Sequence, residues 1–345
     1  MQFDRLRKQQ IEKEDGFQNG PEIIVFGGGT GLSTLLRGLK NYTDNLVAVV
    51  AVSDNGGSSG MLREDLHILP PGDIRNCIMA LANTEPLMYD LLNYRFPSDQ
   101  GRLSGQSFGN LFIAAMAGVS GSFYDAIGNI SKVLAVKGKV VPVSLQDIQI
   151  SALLADNSII PGESEIGSRI PSREKDIYMI SMSPEDAQPL PEVIKDIEQA
   201  DIIILGPGSL YTSIIPHLLF PQIRNAVKES NAVKIYIGNI MTQPAETLDY
   251  NLQKHISALL RHSMAEKPTQ IMHYCIANNQ LLDPDVATEY EKTQSKLVEY
   301  SRGEIEETGV KLIEAPLVSI NEQGAVRHSH NLLAEIIMNI WYDHE

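Results

Sequence analysis

The sequence predicts an α/β protein with a doubly wound, mostly parallel Rossmann-like sheet and a small antiparallel β insertion. Three observations predict this. The short apolar runs are continuous rather than alternating, as strands buried on both faces require. Each run ends in a loop rich in glycine, serine or asparagine. After the first loop, Leu32, Leu35, Leu36 and Leu39 recur with the 3.6-residue period of an amphipathic helix.

The elements follow in order. Residues 1–20 are polar and charged and lack the apolar segment of an export signal. They are expected to form an N-terminal arm on a cytoplasmic protein, and residues 21–345 a single domain. Strands are expected over 23–26, 46–52, 201–205 and 232–237. Two helices are expected between the second and third strands. One runs over 73–83 with Ile74, Cys77, Ile78 and Leu81 inward. The other runs over 107–117 with Phe108, Leu111, Phe112 and Ala115 inward. Asp73 and Ser107 follow turn sequences and are expected as N-caps. Short strand-like runs at about 139–180, with a turn at Asp156-Asn157, predict the antiparallel insertion. The chain closes with a helix whose apolar face includes Leu333, Ile336, Ile337 and Ile340.

Composition narrows the function. Apolar residues make up 43% of the 345, enough for a sizeable core, and no run of 18 apolar residues predicts a membrane span. The formal net charge of −15, with no block of lysine or arginine, argues against nucleic acid as a partner. A small anion remains compatible, because helix N-termini bind phosphate through backbone N–H groups. Cys77 and Cys275 sit among apolar neighbours and read as reduced core residues. A homodimer is expected only from the prevalence of two-fold assemblies.

The chemistry is expected in the loops. Gly27-Gly28-Gly29-Thr30-Gly31 joins a strand to a helix, the context of a phosphate-binding turn. Leu32 stands where the dinucleotide fingerprint needs its last glycine, and no P-loop lysine motif is present. The second loop, Asp54-Asn55-Gly56-Gly57-Ser58-Ser59-Gly60, offers oxygen ligands. Asp54 is its best candidate for a Mg²⁺ ligand. The third contains Gly206, Gly208, Ser209, Tyr211 and Thr212, and the fourth contains Asn239 and Thr242. In a parallel sheet all four emerge at the carboxyl edge, where ligands of this architecture bind. Asp73, Arg75 and Asn76, and Ser107 and Asn110, begin helices that could reach the same edge. His328 and His330 form a weak metal signal, and no nucleophile has a convincing base.

Together, the runs Gly27 to Ser33, Ser53 to Gly60, Gly72 to Cys77, Ser107 to Leu111, Leu205 to Ser213 and Asn239 to Pro244 resemble the gluconeogenesis-factor branch of the YvcK/CofD-like proteins. The resemblance spans about residues 21–333. It implies binding of UDP-sugars such as UDP-N-acetylglucosamine and a role in cell shape during gluconeogenic growth, with no reaction firmly attached. It also implies Tyr290 and Arg327 as binding residues. An arginine can fork onto a diphosphate, and a tyrosine can stack on a base. The alternative, from the CofD branch, is a Mg²⁺-dependent 2-phospholactate-type transferase acting between a guanosine diphosphate carrier and a deazaflavin. Against the family pattern, Asn55 stands where a second aspartate is usual, Gln106 where histidine is common and Gly238 where cysteine is common. Thr247-Leu248-Asp249 and Lys254 also depart from that pattern.

Overall fold

The computed structural model describes residues 20–98 and 101–344. The arm expected over residues 1–20 lies outside these, apart from Gly20. The strands are β1 (Ile23–Gly27), β2 (Leu46–Val50), β3 (Lys139–Pro142), β4 (Gln149–Leu154), β5 (Ile159–Pro161), β6 (Ile177–Ser183), β7 (Ile202–Leu205), β8 (Val233–Ile237), β9 (Tyr274–Asn278), β10 (Lys311–Ala315), β11 (Val318–Ile320) and β12 (Val326–His328). Seven of them form one sheet in the order β10-β9-β8-β7-β1-β2-β3. Every pairing within it is parallel.

The continuous apolar runs are explained by two cores, one on each face. Ile24, Phe26, Ile203, Leu205 and Tyr236 pack into one. Their alternate neighbours Ile23, Val25, Ile202, Ile204, Ile235 and Ile237 pack into the other. Each buried aliphatic side chain contributes about 1.5–3 kcal/mol against an exposed one. Leu32, Leu35, Leu36 and Leu39 of the helix Gly29–Leu39 are fully buried. They share the second core with Leu333, Ala334 and Ile337 of the final helix, His330–Tyr342. Cys77 and Cys275 are free and buried, as expected. No single helix among the described residues is long and apolar enough to cross a membrane.

Four expectations need correction. The helix Phe108–Ser120 buries Gly109, Asn110, Ile113 and Ala117 and leaves Ala115 exposed, so its inward face is not the one expected. The run starting near residue 139 is not part of the insertion: β3 pairs in parallel with β2 and forms one edge of the main sheet. The antiparallel unit is β5-β4-β6 alone. The helix expected over 73–83 is Pro71–Leu81, capped by Pro70, so Asp73 lies in its first turn rather than at its cap. Arg327, which the sequence Gly324-Ala325-Val326-Arg327 places in a turn before the final helix, lies on β12 of an antiparallel hairpin with β11.

Candidate functional site

The chain runs outward from β1 through β2 to β3, then returns and runs outward on the other side from β7 to β10. The order therefore reverses between β1 and β7. Loops leave a crevice at such a point, outside the carboxyl ends of the strands. An open cleft of about 390 Å³ lies there, lined among others by Thr30, Gly31, Gly208, Asn239, Tyr290 and Arg327.

The hairpin and the helix Pro284–Glu291 bring the last two together. The backbone N–H of Val326 donates to Tyr290 Oη at 2.7 Å, so the phenol holds the strand that carries Arg327. Arg327 is half-buried and donates from Nη1 to the Val326 carbonyl at 2.8 Å. Among the described residues its guanidinium makes no ion pair. Beside it, His328 shares a hydrogen bond with the Gly238 carbonyl at 3.1 Å, and burial lowers its pKa to about 4. This histidine is a neutral strut, not half of a metal pair.

The glycine turn is built by close packing, not by left-handed backbone: none of Gly27, Gly28, Gly29 or Gly31 has φ in the positive region. A Cβ on Gly29 would stand 2.1 Å from Asp73 Oδ1, and one on Gly31 would stand 2.2 Å from the Pro207 carbonyl oxygen. The turn is thus clamped between Asp73 on one side and the β7 loop on the other. Beneath it, fully buried His217 shares a hydrogen bond with the Gly27 carbonyl at 3.1 Å. The β7 loop itself does need glycine, since Gly206 has φ +85°.

On the β2 side the site is acidic. Burial first, then the charge of Asp54, raises the Asp73 carboxyl to about 6, against the opposing N–H of Gly29 and Arg75. Glu163, from the insertion, is raised to about 8 by burial and then by Asp54, Glu246 and Asp73. Asp54 Oδ1 accepts the N–H of Gly56 at 2.9 Å. Among the described residues, no group of three or more His, Cys, Asp or Glu side chains is arranged to hold a metal ion. One carboxylate plus ligand phosphates is nevertheless an ordinary Mg²⁺ set. The residues therefore fit a cation that Asp54 would share with a ligand, and not one held by protein alone.

Several expected site residues make hydrogen bonds within the scaffold. Arg75 donates from Nη1 to Ser107 Oγ and to Asn110 Oδ1 (3.1 Å), and from Nη2 to Asn76 Oδ1 (2.8 Å). Ser58 Oγ donates to Gln106 Oε1 (2.7 Å) and accepts from Asn110 Nδ2 (3.1 Å). This buried network fixes two helix starts, and Ser107 occupies its cap position without a side-chain cap bond. Tyr211 turns into the core, where its hydroxyl meets the Ile177 carbonyl and Tyr250 Oη. Thr212 Oγ1 donates to Glu246 Oε1 at 2.9 Å. Glu246 also accepts the Tyr211 N–H at 2.9 Å, so a carboxylate of the protein already occupies the start of the helical turn Leu210–Ile214. Thr242 lines the cleft, but its hydroxyl accepts the N–H of Lys296 (3.0 Å). Ser209 lines it too, and its Oγ accepts from Gln243 Nε2 (2.8 Å). Asn55 faces the insertion. Glu163, Glu246 and His217 were missed: none lies in a glycine loop, and only topology brings them to this edge.

The comparisons with known proteins agree with the fold. Residues 23–318 match the family described as 2-phospho-L-lactate transferase CofD. A protein of Thermoanaerobacterium thermosulfurigenes is 48% identical over 328 residues, 95% of this chain and 99% of its own length. The gluconeogenesis factor of Bacillus subtilis is 40% identical over 320 residues, 93% of this chain and 98% of its own. The crystal structure of a Bacillus halodurans protein superposes with a TM-score of 0.87 at 39% identity, covering 93% of this chain and 100% of that one. With its parallel sheet, its glycine turn and relatives of this similarity, the chain belongs to the gluconeogenesis factor family of CofD-like proteins.

Proposed function

We propose that the protein binds a nucleoside diphosphate sugar of the UDP-N-acetylglucosamine type in the cleft at the β1–β7 switch point, and that it acts on cell shape during gluconeogenic growth through that bound state. The observation that carries the reading is the meeting of Tyr290 and Arg327 at one cleft wall. A half-buried guanidinium that lines a cleft suits a diphosphate, and the flat phenol beside it suits a base. Asp54 would hold a Mg²⁺ jointly with the phosphates, and the ion would screen their charge.

The match to a transferase family favours a second reading, an Mg²⁺-dependent group transfer at the same edge. Incubation with UDP-sugars and with guanosine-linked donors, with and without Mg²⁺, followed by mass spectrometry, separates the two. A binding protein returns UDP-N-acetylglucosamine unchanged. A transferase accumulates product only with Mg²⁺, and that result would replace the first reading with the second.

A further inference from the structure

The polar side chains that line the cleft divide into those already bonded to the protein and those that are not. Ser209 is held by Gln243, Thr242 Oγ1 accepts the N–H of Lys296, and Ser295 donates from Oγ to the Thr242 carbonyl. Tyr290 and His328 bond to the backbone at Val326 and Gly238. Asn239 is different. It follows Gly238 just beyond the end of β8, is half-buried and lines the cleft, and its amide makes no hydrogen bond among the described residues. The N–H donors and the carbonyl oxygen of that amide are therefore open to a ligand.

The backbone around Asn239 is braced from two sides. Val298 donates its N–H to the Ile240 carbonyl at 2.9 Å, and Thr242 donates to the Lys296 carbonyl at 2.7 Å, so residues 295–298 hold the segment after β8. His328 shares a hydrogen bond with the carbonyl of Gly238, the residue before Asn239. Tyr290 accepts from Val326, the residue before Arg327. Asn239, Tyr290 and Arg327 thus belong to one hydrogen-bonded wall of the cleft. A base stacked on the Tyr290 ring turns its edge sideways, in its own plane. A side-chain amide offers a donor and an acceptor side by side, and its match is a ring N–H beside a ring carbonyl, as uracil has at N3. The acetamide of an N-acetyl sugar is a poorer match, because a trans amide points its N–H and C=O in opposite directions.

We propose that Asn239 is a specificity-determining residue that pairs with the hydrogen-bonding edge of a nucleobase stacked on Tyr290. The proposal rests on the nucleotide-sugar reading and adds the group that recognises the base. Calorimetric titration with UDP-N-acetylglucosamine and with its N3-methyluridine derivative tests it on the full chain, on Asn239→Ala and on Arg327→Ala. Methylation removes the ring donor and leaves the stacking face and the diphosphate in place. The parent chain binds the methylated ligand at least about tenfold more weakly. Asn239→Ala binds the unmethylated ligand about tenfold more weakly than the parent does, and binds the two ligands within about twofold of each other. It melts with the parent, since the amide bonds no protein group among the described residues. Arg327→Ala weakens both ligands alike and keeps the discrimination, because it acts on the diphosphate. Discrimination that survives in Asn239→Ala overturns the proposal. A parent chain that binds the two ligands equally overturns this inference alone. One that binds neither overturns the nucleotide reading itself, and this inference with it.

Discussion

Replacing Asp73 by asparagine removes a carboxyl whose charge folding disfavours. The group rises from its ordinary 3.8 to about 6, chiefly through burial and secondarily through Asp54. The folded state therefore holds a proton that the unfolded state releases, and stability falls as pH rises from 3.8 through 6. The shift is about 2 pH units. At about 1.4 kcal/mol per unit, the ionised carboxyl costs at most about 3 kcal/mol above pH 7. Solvent access to the partly exposed side chain lowers this to roughly 2 kcal/mol. An asparagine keeps the shape and can still accept the Gly29 N–H. Asp73→Asn should therefore be more stable than the parent at pH 8 by about 2 kcal/mol, with the gain shrinking toward pH 4.5. Urea unfolding of both proteins at pH 4.5, 6 and 8 reads the gain directly. A gain independent of pH, or a variant less stable at pH 8, would refute the reasoning.

Other perturbations separate scaffold from site. Gly31→Ala places a methyl 2.2 Å from the Pro207 carbonyl oxygen, a backbone atom with little room to yield. It should cost about 1–3 kcal/mol in thermal or urea unfolding, and an unchanged midpoint would contradict the clamp. Ile204→Ala, in a strand buried on both faces, should cost about 2–5 kcal/mol by the same measurement. Tyr290→Phe removes the acceptor of the Val326 N–H and should cost about 1 kcal/mol. It keeps the ring, so hydrogen exchange should rise along β12 while base stacking survives; unchanged exchange there would free Tyr290 from its strut role.

The central fold was legible because its signals are local. Continuous apolar runs followed by glycine loops marked β1, β2, β7 and β8, and these four strands form the middle of the sheet. The outer strands were less legible. β10 is only partly buried, as an edge strand is, and β9 is followed by no glycine loop. β3 was placed in the insertion because a parallel edge strand and an antiparallel hairpin strand read alike over four residues. The site divided in the same way. Loop residues such as Thr30, Gly208 and Asn239 were found from their position after strands, and they line the cleft. Tyr290 and Arg327 were reachable only through resemblance, since a charged helix and a hairpin carry no signal of ligand. Tyr211 was misread because a hydroxyl in a glycine-rich loop looks the same whether it faces ligand or core. Glu163 and Glu246 act through long-range topology, which no local pattern encodes.

Titration calorimetry of UDP-N-acetylglucosamine into the parent chain and into Arg327→Ala, with Mg²⁺ present, tests the central claim most directly. The guanidinium carries no ion pair among the described residues and contributes little core, so both proteins should melt at similar temperatures. The parent should bind saturably, and the variant should bind more weakly by about 1.5–3 kcal/mol, the scale of a charge-assisted hydrogen bond. Equal affinity in the two proteins, or no binding by the parent, would contradict the assignment of the cleft to a nucleotide diphosphate.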